Sequence, residues 1–252
     1  MKSRITFLLA WIVIGGILFS LLLPREGEAK NRFIGFKQGK EKDVAVPEGW
    51  EVVSYFRTPE NRLSLFREGK RTILKVQSIG SASLVLKLVE VDLNTFPVLV
   101  WRWKVNRVVG MAVETRKDRN DAAARIRVIF GRPALKPLQT PPEIEKLFKG
   151  FKFQMKGAEP QGHKIDYIWA NAIPRNEIID YPGSKNHKMV VIQSGNKRAN
   201  TWIWEKRNLY SDFRQCFEGI PPMLIGIAVL TDTDHTNEGV IAHYSSIVMM
   251  SE

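Results

Sequence analysis

Cysteine is nearly absent from this chain of 252 residues, which holds one, Cys216. A single thiol excludes an internal disulfide framework, a CxxC redox pair and any multi-cysteine zinc site. Histidine is scarce as well: His163, His187, His235 and His243 make up the full set of 4, and no two of them stand in HExxH spacing. GxSxG, a Walker loop and GxGxxG are missing, which removes the familiar signatures of serine hydrolases, P-loop enzymes and dinucleotide enzymes. Internal repeats and low-complexity tracts are lacking too. What remains has an ordinary globular composition, 44% hydrophobic and 25% charged. The balance of sign is not ordinary, because 38 Lys and Arg face 26 Asp and Glu for a net charge of +12. Anionic lipid, acidic glycan and nucleic acid all suit such an excess.

The N-terminus supplies an address. Lys2 and Arg4 precede an uncharged run from Ile5 to Leu23 that stops at Pro24-Arg25-Glu26. That run exceeds the core of a signal peptide and approaches the roughly 20 residues that span a bilayer. Gly27-Glu28-Ala29 matches a small-x-small cleavage site only loosely, which favours an uncleaved anchor over a cleaved, secreted form. With Lys2 and Arg4 held inside, the rest of the chain is expected outside the cytoplasmic membrane, in the periplasm. Export, dispersed basic residues and the lack of a recognition signature together argue against a nucleic-acid partner. The expected organisation is an anchor or signal at 1–23, a charged tether at 24–43 and one domain at 44–252.

From Val44 onward the pattern is that of strands. Segments 51–57, 71–77, 83–91, 98–105, 123–130, 165–170, 189–193, 201–209, 224–231 and 240–250 are rich in β-branched and aromatic residues, and turn residues separate them. About ten strands with few helices predict an all-β sandwich or barrel. Two short helices are expected. One is capped by Thr140 and closed at Gly150; the other is capped by Ser211, carries Phe213, Cys216 and Phe217 on its apolar stripe, and ends near Gly219. On that stripe Cys216 reads as a packing residue.

Alternation along the strands assigns faces. Trp101 and Trp103 share one side of their strand, with Arg102 and Lys104 on the other. Ile126 and Val128 oppose Arg125 and Arg127, and Trp202 and Trp204 oppose Glu205 and Arg207. Tyr167 and Trp169 form a further aromatic pair. Such aromatics either stack sugars or fill a core, and the charged opposite faces favour the core. If the three strands share one sheet, Arg102, Lys104, Arg125, Arg127, Glu205 and Arg207 line its outer face. Planar guanidinium donors there suit carboxylate, phosphate or sulfate groups of a glycan or lipid.

Two acidic loops complete the set of candidates. Asp232 and Asp234, in the 231–237 loop, present oxygen ligands of a kind that suits Ca²⁺, although the EF-hand pattern is missing and Asx turns explain the same residues. Asp118 and Asp121 stand before the strand of Arg125. A glycan hydrolase would need only two carboxylates at the right separation, and Asp118, Asp121, Glu205, Asp212, Asp232 and Asp234 are the available ones.

Segments 97–105, 120–130, 167–170, 204–214 and 231–236, taken in order, resemble domain-of-unknown-function family 3047, a group of exported bacterial proteins. The resemblance spans about residue 50 to the end. It implies a jelly-roll β-sandwich of galactose-binding type and no established activity. By its pattern Asp121, Arg125, Trp169, Glu205, Arg207, Asn208, Asp212, Asp232 and Asp234 deserve inspection, while Phe217-Glu218-Gly219 departs from the usual Phe-Gly by one residue. The function expected is a membrane-tethered, non-catalytic binding module for a carbohydrate or other anionic envelope component. A glycan-active hydrolase and a purely structural envelope protein are the alternatives.

Overall fold

The computed structural model describes residues 31–37, 46–132 and 159–251. The apolar N-terminal run and the helix expected at 140–150 lie outside them. Among the described residues, no helix is long and apolar enough to cross a membrane. The elements are β1 (Asn31–Phe33), β2 (Glu51–Ser54), β3 (Arg62–Glu68), β4 (Arg71–Ile79), β5 (Ala82–Val91), β6 (Val98–Val105), β7 (Ala122–Gly131), β8 (His163–Ala170), β9 (Ile178–Tyr181), β10 (Ser184–Ser194), β11 (Ile203–Asn208), α1 (Leu209–Phe217), β12 (Met223–Asp232) and β13 (Gly239–Met250).

These form an all-β sandwich of two sheets. Sheet I has the order β11-β6-β13-β4-β3, with β1 paired to β13, and sheet II has the order β2-β5-β12-β7-β8-β10-β9. The pairings are antiparallel except β8 with β10, whose parallel alignment needs the crossover through β9. β4 in sheet I passes to β5 in sheet II, and Gly80 at this corner sits at φ +52, where a Cβ would lie 2.8 Å from Asn237 Oδ1. Glycine is needed there both for its backbone angle and for the close approach.

The aromatic pairs lock the two sheets together. Trp101 and Trp103 point from β6 into the core, and Tyr167 and Trp169 point to meet them from β8, all four buried. Ring centroids lie 5.4 Å apart for Trp101 and Tyr167 and 5.9 Å for Trp103 and Trp169. Rings of this size bury large apolar areas and gain further from tilted contact. The core reading of these four aromatics holds.

Other expectations need correction. β7 belongs to sheet II, whereas β6 and β11 belong to sheet I, so no single outer face carries all six expected cationic and acidic residues. Arg102 and Lys104 lie on one side of the sandwich and Arg125 and Arg127 on the other. β11 is also turned over relative to expectation: Ile203 and Glu205 are buried, while Trp204 is 52% exposed. An edge strand permits this reversal, because Glu205 and Arg207 find polar partners at the margin between the sheets. α1 begins one turn earlier than expected. Its cap is Asn208, whose side chain accepts from Ser211 N, and the helix gives way at Glu218, which has φ 54. β1, β3 and β9 were not anticipated, and β1 falls inside the expected tether, with Ile34 and Phe36 buried in the core.

Candidate functional site

On the outer face of sheet II, charge is buried and matched. Arg127 donates from Nε and Nη2 to both oxygens of Asp166, at 2.7 and 2.8 Å, and from Nη1 to Glu159 at 2.9 Å. Arg125, fully buried, donates to Asn120 O and Oδ1 at 2.9 Å each and lies 3.4 Å from Asp232 and 3.5 Å from Asp166. Burial works against both guanidinium charges, yet these carboxylates raise the two pKa values above the ordinary arginine range. Asp166 shows the converse: burial opposes its charge, but Arg127 and then His187 hold it well below the usual carboxylate value. His187 stacks on Tyr181 with ring centroids 4.0 Å apart, and its Nε2 lies 3.0 Å from Asp166 without the alignment of a hydrogen bond. Arg125 and Arg127, both expected as ligand contacts, are therefore already engaged inside the protein.

The inward face of β11 holds Glu205 and Arg207. Glu205 Oε1 accepts from Trp103 Nε1 at 3.2 Å and Gln193 Nε2 at 2.7 Å, and burial raises its carboxyl pKa against those two bonds. Arg207 grips both oxygens of Asp212, which also accepts from Tyr167 Oη at 2.6 Å. Trp169 donates to Gly195 O at 3.0 Å, closing the same margin. Asn208 caps α1 and so fixes Asp212 one turn later. Cys216 packs against the core, and burial pushes its thiol up to about 11, as befits an inert residue.

The acidic loops come together differently from the expected pair. Asp232 turns inward, accepting Ala122 N at 2.7 Å and lying against Arg125, and burial pushes its carboxyl up to about 6. Asp234 instead joins Asp121 and His235, whose ligand atoms all lie within 4.8 Å of one another, the one such trio among the described residues. Both Asp121 oxygens already accept bonds, from His235 Nδ1 at 3.1 Å and Thr236 N at 2.8 Å. This arrangement is a clasp between two loops, and its mixed imidazole and carboxylate donors depart from the all-oxygen set typical of Ca²⁺.

The outer face of sheet I is open. Trp204 stands opposite Arg102, which stands opposite Ser245, and the next row runs Lys104, His243, Lys75 and Ser64. Arg102 Cζ lies 4.1 Å from the Trp202 ring centre and 5.7 Å from that of Trp204, while Lys104 Nζ lies 5.1 Å from Trp202. Arg102 is 8% exposed, its Nε has no partner, and its only carboxylate among the described residues is the exposed Glu68, 3.6 Å away. Burial and then Arg71 lower its pKa from the usual arginine value. Trp202 Nε1 and His243 Nδ1, on the same face, are likewise buried without a partner. Burial, then Lys104 and Lys75, push His243 down to about 4. Arg71, Lys75, Phe66 and His243 were missed as members of this face. Their signal was present in the 71–77 strand, whose Arg71 and Lys75 share a parity, but only the pairing of β3, β4 and β13 beside β6 brings them to Trp204.

Comparison with known proteins adds one structural similarity and a family. A search of curated proteins found no match. Among solved structures, the Trichoderma harzianum endoglucanase 3 from family GH12 aligns at 8% identity with a TM-score of 0.44, over 90% of this chain and 99% of that one. At that level of similarity the endoglucanase's activity carries no argument for this protein. A family model spans the sandwich from just before β2 to within β13, residues 48–248, and by that match the chain belongs to the family described as Protein of unknown function (DUF3047).

Proposed function

We propose that this protein is a membrane-tethered, extracytoplasmic binding module that takes a carbohydrate or another anionic envelope component on the outer face of sheet I, without catalysis. The strand orders β4-β13-β6-β11 and β5-β12-β7-β8 are those of a jelly roll, an architecture used by many lectin domains. A fold does not fix a function, so the reading rests on the site. The observation that carries it is Arg102, an almost buried cation set beside two indoles, whose Nε has no partner and whose single carboxylate among the described residues is the exposed Glu68 at 3.6 Å. Burying a charge is costly where its partner stays exposed to solvent, and an anionic ligand would add a second partner. Half-exposed Trp204 offers a flat apolar surface for a sugar ring, Lys104 adds charge, and Trp202 keeps the Arg102 plane in place. Arg125, Arg127, Glu205, Arg207, Asp212 and Asp121 then serve as the internal scaffold. The anchor at Ile5 to Leu23 holds the module at the envelope.

The test is a binding screen of uronate-bearing and neutral oligosaccharides against full-length protein in non-ionic detergent at physiological salt. An acidic oligosaccharide that binds wild type and loses at least tenfold in affinity in R102Q and in W204A supports this reading. Equal binding by both variants sinks it and leaves a structural envelope role. A second reading, glycan hydrolysis, draws on Glu205 alone: its pKa is raised, two neutral donors fix Oε1, and Oε2 has no partner among the described residues. Release of reducing ends by wild type but not by E205Q would establish it.

A further inference from the structure

We propose that a second concavity beside this face binds a phosphoryl group carried on a sugar or on glycerol. The cavity holds about 420 Å³, within the range of small-molecule sites, which starts near 300 Å³. Its position follows from two local features of the chain. β3 and β4 are joined by the two-residue turn Gly69-Lys70, with Gly69 at φ +60, so Arg67, Lys70 and Arg71 project close together. Facing them, β13 bulges between Ser245 and Val248, and Ser246 takes φ 54, a conformation costly for a residue with a Cβ. The bulge brings Ser245 and Ser246 to the cavity wall, with their Oγ atoms 3.4 Å apart.

The lining is strongly one-sided in charge. Lys37, Arg67, Lys70 and Arg71 line the cavity, against Glu48 as the carboxylate in the lining. Among the described residues, none of the four cations forms an ion pair. A carboxylate would occupy one arginine, whereas a phosphomonoester carries roughly −1.5 to −2 charges and three acceptor oxygens. Two guanidinium groups, two ammonium groups and the Ser246 hydroxyl match that donor demand, the Ser245 O–H being donated to Thr72 O at 3.1 Å. Ser245 also stands opposite Arg102, so a ligand phosphorylated at one end would place its sugar toward Trp204. The inference rests on the reading above only in treating this side of sheet I as a ligand surface.

The experiment titrates full-length protein with glucose 6-phosphate, with glucose, and with glycerol 3-phosphate, the deacylated form of phosphatidic acid, at physiological salt. Wild type is compared with R67Q/K70Q and W204A, with thermal unfolding as the control for folding. The expected result is binding of at least one phosphorylated probe at least tenfold tighter than glucose, weakened at least tenfold in R67Q/K70Q. A preference for glucose 6-phosphate assigns the group to a glycan, and a preference for glycerol 3-phosphate assigns it to a lipid headgroup. Failure of both phosphorylated probes to bind, or binding unchanged in R67Q/K70Q, overturns the proposal. Because W204A removes the platform and not the cavity, loss of acidic oligosaccharide binding with phosphate binding intact separates the two sites.

Discussion

On the outer face of sheet II, Arg127 meets both oxygens of Asp166, and Arg125 is enclosed by Asn120, Asp232 and Asp166. On the outer face of sheet I, Arg102 is almost as deeply placed but meets two indole rings and one carboxylate at 3.6 Å. Each of these arginines alternates with core residues on its strand, so neither alternation nor burial distinguishes them. The difference lies in the partners. Desolvating a guanidinium costs several kcal/mol, and a closely matched carboxylate returns much of that cost. Sheet II meets the cost internally, which makes its arginines structural. Sheet I leaves part of it unmet, which makes Arg102 receptive to an outside anion.

The comparison breaks most visibly through Asp166. An Asp166→Asn variant leaves Arg125 and Arg127 short of a buried countercharge and is expected to lose about 3–5 kcal/mol of stability in urea unfolding. A loss below about 1 kcal/mol would show that sheet II does not depend on matched charge. Acid behaviour comes next in size. The pKa of Asp166 is depressed in the fold, so its contribution is present above the ordinary carboxylate value near 4 and is lost as pH falls through its folded value. Asp232 has the opposite sign. Its folded pKa of about 6 means that its contribution is complete below about 4 and disappears as pH rises through 6. Asp232→Asn should therefore remove a downward slope of stability between about pH 4 and 6, whereas Asp166→Asn should flatten the acid limb below it. Stability measured at half-unit pH intervals distinguishes the two, and identical profiles would contradict this assignment.

On sheet I the expected stability effect is small. Arg102→Gln should change stability by no more than about 1 kcal/mol, because little favourable pairing is lost with the charge. A loss of 3 kcal/mol or more would place Arg102 with the structural arginines and remove the contrast. The smallest effect concerns His243, which burial and two lysines keep neutral down to about 4. An anion bound beside it favours the protonated ring, so affinity for a fully ionised probe should rise as pH falls from 7 toward 4, and H243Q should flatten that rise. A wild-type affinity independent of pH would place the ligand away from His243.

Much of the architecture was legible along single strands. Period-two alternation placed Trp101, Trp103, Tyr167 and Trp169 in the core, since a side chain on a strand has only two faces to choose between. The same rule failed at β11, where tryptophan was expected inside and charge outside. There Trp204 is exposed, while Glu205 finds Trp103 and Gln193 across the sheet margin. Hydrophobicity alone predicts the face only when buried polar groups lack partners, and those partners lie 102 and 12 residues away in sequence. The strands β3 and β9 were missed for a related reason: none of their residues is fully buried, and β9 is only 4 residues long.

The chain by itself determined a β-sandwich with few helices, an aromatic core, an inert Cys216 and a basic surface, because these follow from composition and from contacts local to one strand. Tertiary structure alone decided which arginines are matched by buried carboxylates. Asp166 neutralises Arg127 from the neighbouring strand, Asp232 approaches Arg125 from 107 residues away, and the carboxylate nearest Arg102 among the described residues is the exposed Glu68. A guanidinium is compensated best by carboxylates that are aligned with it and themselves shielded from water. The site is therefore set by which strands become neighbours.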